Sequence, residues 1–396
     1  MAEIKSFKAL RYNQEIIKNI SNVIAPPYDI INKNQQDKLY SSDEYNVIRI
    51  DLNKTPGDEK YRIAQKIFQD WQARKILIQD QEESIYPYYQ KFAYKRKKYE
   101  RLGLIVLVKL HEFSEKIILP HEETFSGPKE DRLKLMKACN ANLSPIFGIY
   151  DDPDRKVDEI LDDYISSNKP IIEVKSSDET INIVWKISDK NIIHHVKDIF
   201  KYKQILIADG HHRYETSINL HKEETTSKNG YSMFYLSGIN QKGLLINPTH
   251  RILRGIQNVD KIISSIKSNF INEICNNTVN EDRLLPDEFF VACKNKSLSL
   301  KCKIKNKDRD KFYGMSVYAV QNKIIDIFEK LYSEIDFFKS LDDAKSSISS
   351  DSICLILPKF VPSDIMKVVL NNDKMPQKST YFYPKIPTGL LFNKLY

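Results

Sequence analysis

The chain has 396 residues, of which 41% are hydrophobic and 11% aromatic, enough apolar material for two domains or one large domain with an appendage, and this excludes wholesale disorder. Its 61 basic and 53 acidic residues leave a formal charge of +8 with the signs interspersed, an excess that attracts anionic substrates; the basic runs are too short for a nucleic-acid footprint. Five cysteines without a Cys-x-x-Cys pair argue for a reducing cytosol and against a disulfide framework or structural zinc. The N-terminus lacks a signal-peptide pattern, and no apolar run nears the ~18 residues that span a bilayer, so the expectation is a cytoplasmic protein with no membrane contact.

In chain order, residues 4–24 predict an opening strand or loop and then a helix, from Phe7, Leu10, Ile16, Ile17 and Ile20. Ala25-Pro-Pro-Tyr-Asp-Ile30 must be stiff and extended, because proline fixes its own φ and restricts the residue before it. The alternation of Asn46–Leu52 predicts a strand, and Ile63, Ile67 and Trp71 place a helix over Asp58–Lys75. Residues 83–95 and 99–112 form a long hairpin, whose turn carries the solvated run Lys95-Arg-Lys-Lys98.

Pro128 fits the first position of a helix with Glu130 and Asp131 in its first turn. Thr124, Ser126, Lys129 and Arg132 gather about that start as either a second anion-binding surface or an ordinary well-capped helix. A strand at 143–151, a charged helix at 152–165 and strands near 171–174 and 181–186 follow. Residues 247–253 read as one Pro-marked strand carrying His250 and Arg251. From Val259 the order is helix, Lys-rich hairpin (301–312), strand, helix (Ile324–Leu331), helix, strand (Ile353–Leu357) and a final helix at 363–370. The aromatic and basic segment 375–385 is expected to dock on the body.

Residues 204–217 are the most informative. Ile205-Leu-Ile-Ala208 reads as a buried strand, Asp209-Gly210 as a turn, and the polar residues beyond as a helix start with Tyr214 and Ile218 on one face. A strand, a glycine turn and a helix N-terminus together present unpaired N–H groups and a favourable dipole to an anion. Gly210 lets the backbone approach a ligand, Arg213 offers a planar fork of donors, and His211 and His212 can donate or shuttle protons near neutral pH.

Several segments occur together and in order: Ala25-Pro-Pro-Tyr-Asp29, His121-Glu-Glu-Thr124, Gly127-Pro-Lys-Glu-Asp-Arg-Leu133, Asn142-Leu-Ser-Pro-Ile-Phe147, Ala208-Asp-Gly-His-His-Arg-Tyr-Glu-Thr216, Pro248-Thr-His-Arg251 and the closing run from Met375 to Lys385. In these the chain resembles, essentially end to end, the bacterial domain-of-unknown-function family 1015. That family is similar to the ParB/sulfiredoxin superfamily and its free-serine kinases.

The resemblance implies an α+β fold: a ParB/sulfiredoxin-like nucleotide-binding region over 1–258, and a C-terminal α/β region over 259–396 with its docked tail. It places His212 and Arg213 on nucleotide phosphates. His211 stands where sulfiredoxin carries its reactive cysteine, which excludes sulfinic-acid repair at this position. The chain runs from Tyr214 through a polar stretch into an apolar strand, unlike the helix-turn-helix that follows in ParB, so DNA partitioning is not expected. The kinases use an acidic general base near the N-terminus, for which Asp29 and Glu122 are both candidates.

The chemistry expected is phosphoryl transfer from ATP or ADP, with Mg²⁺, to a small hydroxylated metabolite. Gly210, His212, Arg213, Lys129 and Arg132 would bind phosphate, Asp209 would ligate Mg²⁺, and Asp209, His211, Asp29 and Glu122 are the catalytic candidates. Two alternatives stay open: a metal-dependent phosphohydrolase using His121, His211, His212 and Asp209, or a nucleotide-binding regulator without turnover.

Overall fold

A computed structural model describes residues 1–122, 127–224, 230–275, 280–294 and 298–395. The chain divides into two units: residues 1–120, 124–244 and 384–396 form the first, and residues 121–123 and 245–383 the second. Helices and strands are mixed in both.

The first unit is built on a nine-stranded sheet. From one edge its strands run Ile118–Pro120, Ile205–Asp209, Ile146–Tyr150, Tyr231–Gly238, Lys97–Lys109, Tyr86–Tyr94, Ile181–Val184 and Ile172–Lys175, with Ile4–Lys5 also paired to Lys97–Lys109. Ile205–Asp209 runs parallel to Ile118–Pro120 and antiparallel to Ile146–Tyr150, with a register shift between Ile207 and Asp209. Tyr231–Gly238 is parallel to Ile146–Tyr150 and antiparallel to Lys97–Lys109. Close strand packing requires glycine at 103, where an added Cβ would lie 2.3 Å from the Leu236 carbonyl oxygen.

The core of this unit joins Leu104, Val106, Ile146, Ile205, Ile207, Phe234 and Leu236 of the sheet to Val157, Leu161, Ile193, Val196, Phe200, Tyr214 and Ile218 of three helices. Those helices are Lys156–Ser167, Lys190–Phe200 and His211–Glu223. Each buries an apolar stripe and leaves its charged face in water.

The second unit carries a six-stranded antiparallel sheet in the order Ile271–Ile274, Leu298–Lys303, Glu288–Cys293, Ile353–Ile356, His250–Arg254 and Glu334–Phe338. The segment 375–385 contributes Thr380–Tyr383, which pairs antiparallel with Leu245–Pro248.

Several local expectations are corrected. Asn46–Leu52 is not a strand: Ile48–Asp51 is a short helix. The Asn46 side chain accepts from Ile48 N and donates to the carbonyls of Asn22 and Ile24, so contacts distant in sequence override β-branched propensity. Residues 13–20 hold no α-helix. Leu10–Tyr12 is a strand, Asn13 caps Glu15 N in the turn that follows, and Ile20–Asn22 is a single 3-10 turn.

The run 247–253 is split at Thr249 between Leu245–Pro248 and His250–Arg254, which join different sheets. The Lys-rich hairpin lies earlier than expected, as Glu288–Cys293 with Leu298–Lys303, and residues 306–312 are 3-10 turns. The helix expected at Ile324–Leu331 starts at Ser316 and passes through a π-turn at Gln321–Ile325.

Candidate functional site: a two-arginine cavity

The site is assembled within the first unit, beginning at the end of the strand Ile205–Asp209. Gly210 caps the helix His211–Glu223 with φ +92°, a left-handed conformation that side chains disfavour. Tyr214 and Ser217 fix this helix. The Tyr214 hydroxyl donates to the His111 carbonyl (2.8 Å) and accepts from His111 N (2.9 Å), while Ser217 Oγ lies 3.1 Å from Ser232 Oγ on the strand Tyr231–Gly238.

With the helix held, Arg213 folds back over the turn. A Cβ at position 210 would lie 2.8–3.0 Å from its guanidinium. Nη1 donates to Ser144 Oγ (3.0 Å) and to the Pro145 carbonyl, and Nη2 to Asp209 Oδ2 (2.7 Å). The other Asp209 oxygen accepts from Lys385 Nζ. Burial raises the Asp209 carboxyl, but Lys385 and Arg213 outweigh it and hold the group below the ordinary carboxylate range.

Lys385 reaches Asp209 because residues 384–396 belong to the first unit. Arg101 Nη2 donates to the Pro384 carbonyl (2.7 Å), Ala25 bridges Thr388, Leu10 bridges Phe392, and Asn393–Lys394 pairs with Ala141–Asn142.

A second arginine meets the same space. Arg132, on the helix Gly127–Cys139, is only 7% exposed and lies 4.0 Å from the centre of the Tyr28 ring. Its Nη1 donates to Asp51 Oδ1 (2.9 Å) and to the Asp51 carbonyl (3.1 Å), and its Nη2 to Asp131 Oδ2 (2.6 Å). Asp131 also accepts from the Tyr61 hydroxyl (2.8 Å) and Lys60 Nζ (2.5 Å). Burial raises its carboxyl, yet Arg132 and these donors bring it down to about 2.

Asp51 is 4% exposed, and its second oxygen, Oδ2, is buried without a hydrogen-bond partner. Burial raises its carboxyl above the usual range against the pull of Arg132 and Arg213. Tyr28, likewise, is pushed up to about 12 by burial, against Arg132.

Tyr28, Asp51, Arg132, Ser144 and Arg213 line one small cavity of about 40 Å³ that opens to solvent, with Leu135, Met136, Leu143 and Ile146 as apolar wall. Such an arrangement can hold an oxyanion between two guanidinium groups beside a carboxylate that has one oxygen to spare.

Arg213 of the expected anion pocket and Arg132 of the segment read as either a second anion surface or a capped helix thus line one cavity. Gly210, His211 and His212 stand at its helix start, the histidines half-buried. Asp29 is exposed on the turn Tyr28–Ile30, although its charge reaches Asp51. Glu122 belongs to the second unit, where its carboxylate accepts from Thr380 N (2.7 Å) and Oγ1 (2.5 Å). His121 lies there too, its Nε2 2.8 Å from Thr380 Oγ1. The side chain of Lys129 lies outside the described residues, as do Thr124 and Ser126.

Asp209, the expected Mg²⁺ ligand, has both oxygens held by cations, a donor set that does not fit a bound dication. Among the described residues no three His, Cys, Asp or Glu side chains group to hold a metal ion, and no helix is long and apolar enough to cross a membrane. Sequence reasoning gave no role to Asp51, Ser144 or Lys385. The last two lie inside quoted motifs, whereas Asp51 carried no signal.

Among solved structures, the chain is similar to a conserved hypothetical protein from Pyrococcus furiosus, at 15% identity over 74% of this chain and 95% of that one, with a TM-score of 0.40. It is also similar to a free serine kinase variant in complex with AMP (14% identity, 72% and 92% covered, TM-score 0.39). A third is SbnI with a C-terminal truncation from Staphylococcus aureus (12% identity, 73% and 87% covered, TM-score 0.39). No curated protein matches. Residues 4–341 match the model of a family described as protein of unknown function (DUF1015), and the chain belongs to that family.

Proposed function

We propose that the protein is a nucleotide-dependent phosphotransferase that moves a phosphoryl group from ATP or ADP to a small hydroxylated metabolite, with its first unit a ParB/sulfiredoxin-like nucleotide-binding region. The convergence of Arg132 and Arg213 on one cavity carries the reading. Two guanidinium groups across a part-apolar cavity supply the charge that a transferring phosphoryl group requires, and positioning with charge stabilisation does most of the work in such reactions. Gly210 and the helix start behind it would face the same phosphates, with His211 and His212 as proton donors. A cytoplasmic setting would supply the nucleotide.

The test is calorimetric titration of ADP and ATP into the native chain and Arg213→Ala, with hydroxylated amino acids and sugars then screened for phosphorylated product. Loss of a charge-assisted hydrogen bond is worth about 1.5–3 kcal/mol, so Arg213→Ala should bind roughly 10- to 100-fold more weakly while remaining folded. Equal affinity in the variant would remove the site from this cavity. Binding by the native chain with no product from any acceptor would favour a nucleotide-binding regulator.

A further inference from the structure

We infer that Asp51 is the general base of this cavity, taking the proton from the acceptor hydroxyl through its Oδ2 atom. The inference rests on the phosphotransferase reading and adds the residue that reading lacks. Asp29 is exposed and Glu122 is committed to Thr380 in the second unit. Asp51 differs from both in being 4% exposed and lining the cavity.

Its two oxygens are unequal. Oδ1 accepts from Arg132 Nη1 at 2.9 Å, which fixes the plane of the carboxylate, and Oδ2 has no hydrogen-bond partner. A buried carboxylate oxygen left unsatisfied is costly, and an acceptor hydroxyl inside the cavity is the group that would satisfy it. The carboxylate is held from behind: Asp51 N donates to the Val47 carbonyl, and Arg132 is braced by Asp131 and stacked on Tyr28.

The charged and titratable groups facing Asp51 are Arg132, Asp131 and Cys139 on the helix Gly127–Cys139, Arg213 on the helix His211–Glu223, and Asp29 with Tyr28 on the preceding turn. Both nearby cations favour its charged form, while burial and Asp29 oppose it. A base at this position is therefore more basic than a solvated carboxylate.

The step balances. The acceptor O–H proton passes to Asp51 Oδ2 as the hydroxyl oxygen bonds to the terminal phosphorus of the nucleotide. The P–O bond to the remaining nucleotide breaks and leaves its electron pair on the departing phosphate, and Asp51 then returns the proton to solvent.

The experiment uses the full chain and Asp51→Asn, which keeps the oxygen that accepts from Arg132 and removes the basicity. ADP affinity by calorimetry should agree within about threefold between the two. The rate of transfer to the best acceptor should fall about 10²- to 10⁴-fold, the usual contribution of a general base. In the native chain the acid limb of kcat should lie above the pH ~3.9 of a solvated aspartate, and it should vanish in the variant.

A variant that keeps more than a tenth of the native rate, or an unchanged acid limb, overturns the assignment while leaving the nucleotide reading standing. A native chain that binds neither ADP nor ATP, or binds without transferring to any acceptor, ends the phosphotransferase reading and the base role with it.

Discussion

Replacing Lys385 by Met tests how the site is held together. Lys385 and Arg213 share the Asp209 carboxylate, and the side chains of Lys385 and Asp209 are only 13% and 16% exposed. Removing one partner of a fully buried pair costs about 3–5 kcal/mol. Here Arg213 remains 2.7 Å from Asp209, and methionine retains most of the packing volume, so a loss of about 2 kcal/mol is expected.

For a unit of this size each kcal/mol is worth about 2–4 °C, which makes the expected fall in Tm about 4–8 °C for the first unit at pH 7. The pH dependence separates charge from packing. The folded Asp209 carboxyl is depressed because Lys385 and Arg213 outweigh its burial. A depressed carboxyl stabilises the fold above its unfolded value of about 3.9, and that stabilisation is lost as the pH falls through the folded value. The gap between native and variant should therefore be constant from pH 7 to pH 5 and close below about pH 4. Scanning calorimetry at pH 7, 5, 4 and 3 measures it. An undiminished Tm at pH 7, or a gap that persists unchanged to pH 3, would show that the ion pair does not hold the closing segment.

Two further substitutions probe other joints. Gly210→Ala forces a side chain to φ +92° and drives its Cβ against the Arg213 guanidinium; it should cost about 1–2 kcal/mol in thermal unfolding and weaken ADP binding as much as Arg213→Ala does, and unchanged ADP affinity would uncouple the turn from the cavity. Arg251 of the second unit is fully buried, its Nε and Nη1 lack hydrogen-bond partners, and burial draws it down to about 10; Arg251→Met should leave the melting of that unit within about 1 kcal/mol of native or above it, whereas a large loss would reveal a compensated charge.

What the sequence made legible follows from how local each signal is. The run Ile205–Ala208, the Asp209-Gly210 turn and the Tyr214–Ile218 spacing are each decided within a few residues, and the strand and helix stand where that pattern puts them. The strand pair 86–94 and 97–109 was equally readable, since the apolar run Leu104–Val108 and a basic turn mark a hairpin without distant partners. Asn46–Leu52 failed for the opposite reason. Its β-branched alternation favours a strand, but the backbone there is set by hydrogen bonds to Asn22, Val23 and Ile24.

That misreading also hid Asp51. In a strand its side chain would alternate with Ile50 and read as the solvated face; in the short helix both residues are buried and the carboxylate meets Arg132, eighty-one positions later. Arg132 and Arg213 show the same limit from the other side. Arg213 sits at a helix start that read as an anion site on its own and Arg132 in a segment that read as either an anion surface or a capped helix, but nothing in the spacing of two helices says that the two arginines share a cavity. That depends on the contact between the helices Gly127–Cys139 and His211–Glu223. Local chemistry was thus readable residue by residue, while the pairing that turns two cationic turns and a carboxylate into one site belongs to the tertiary fold.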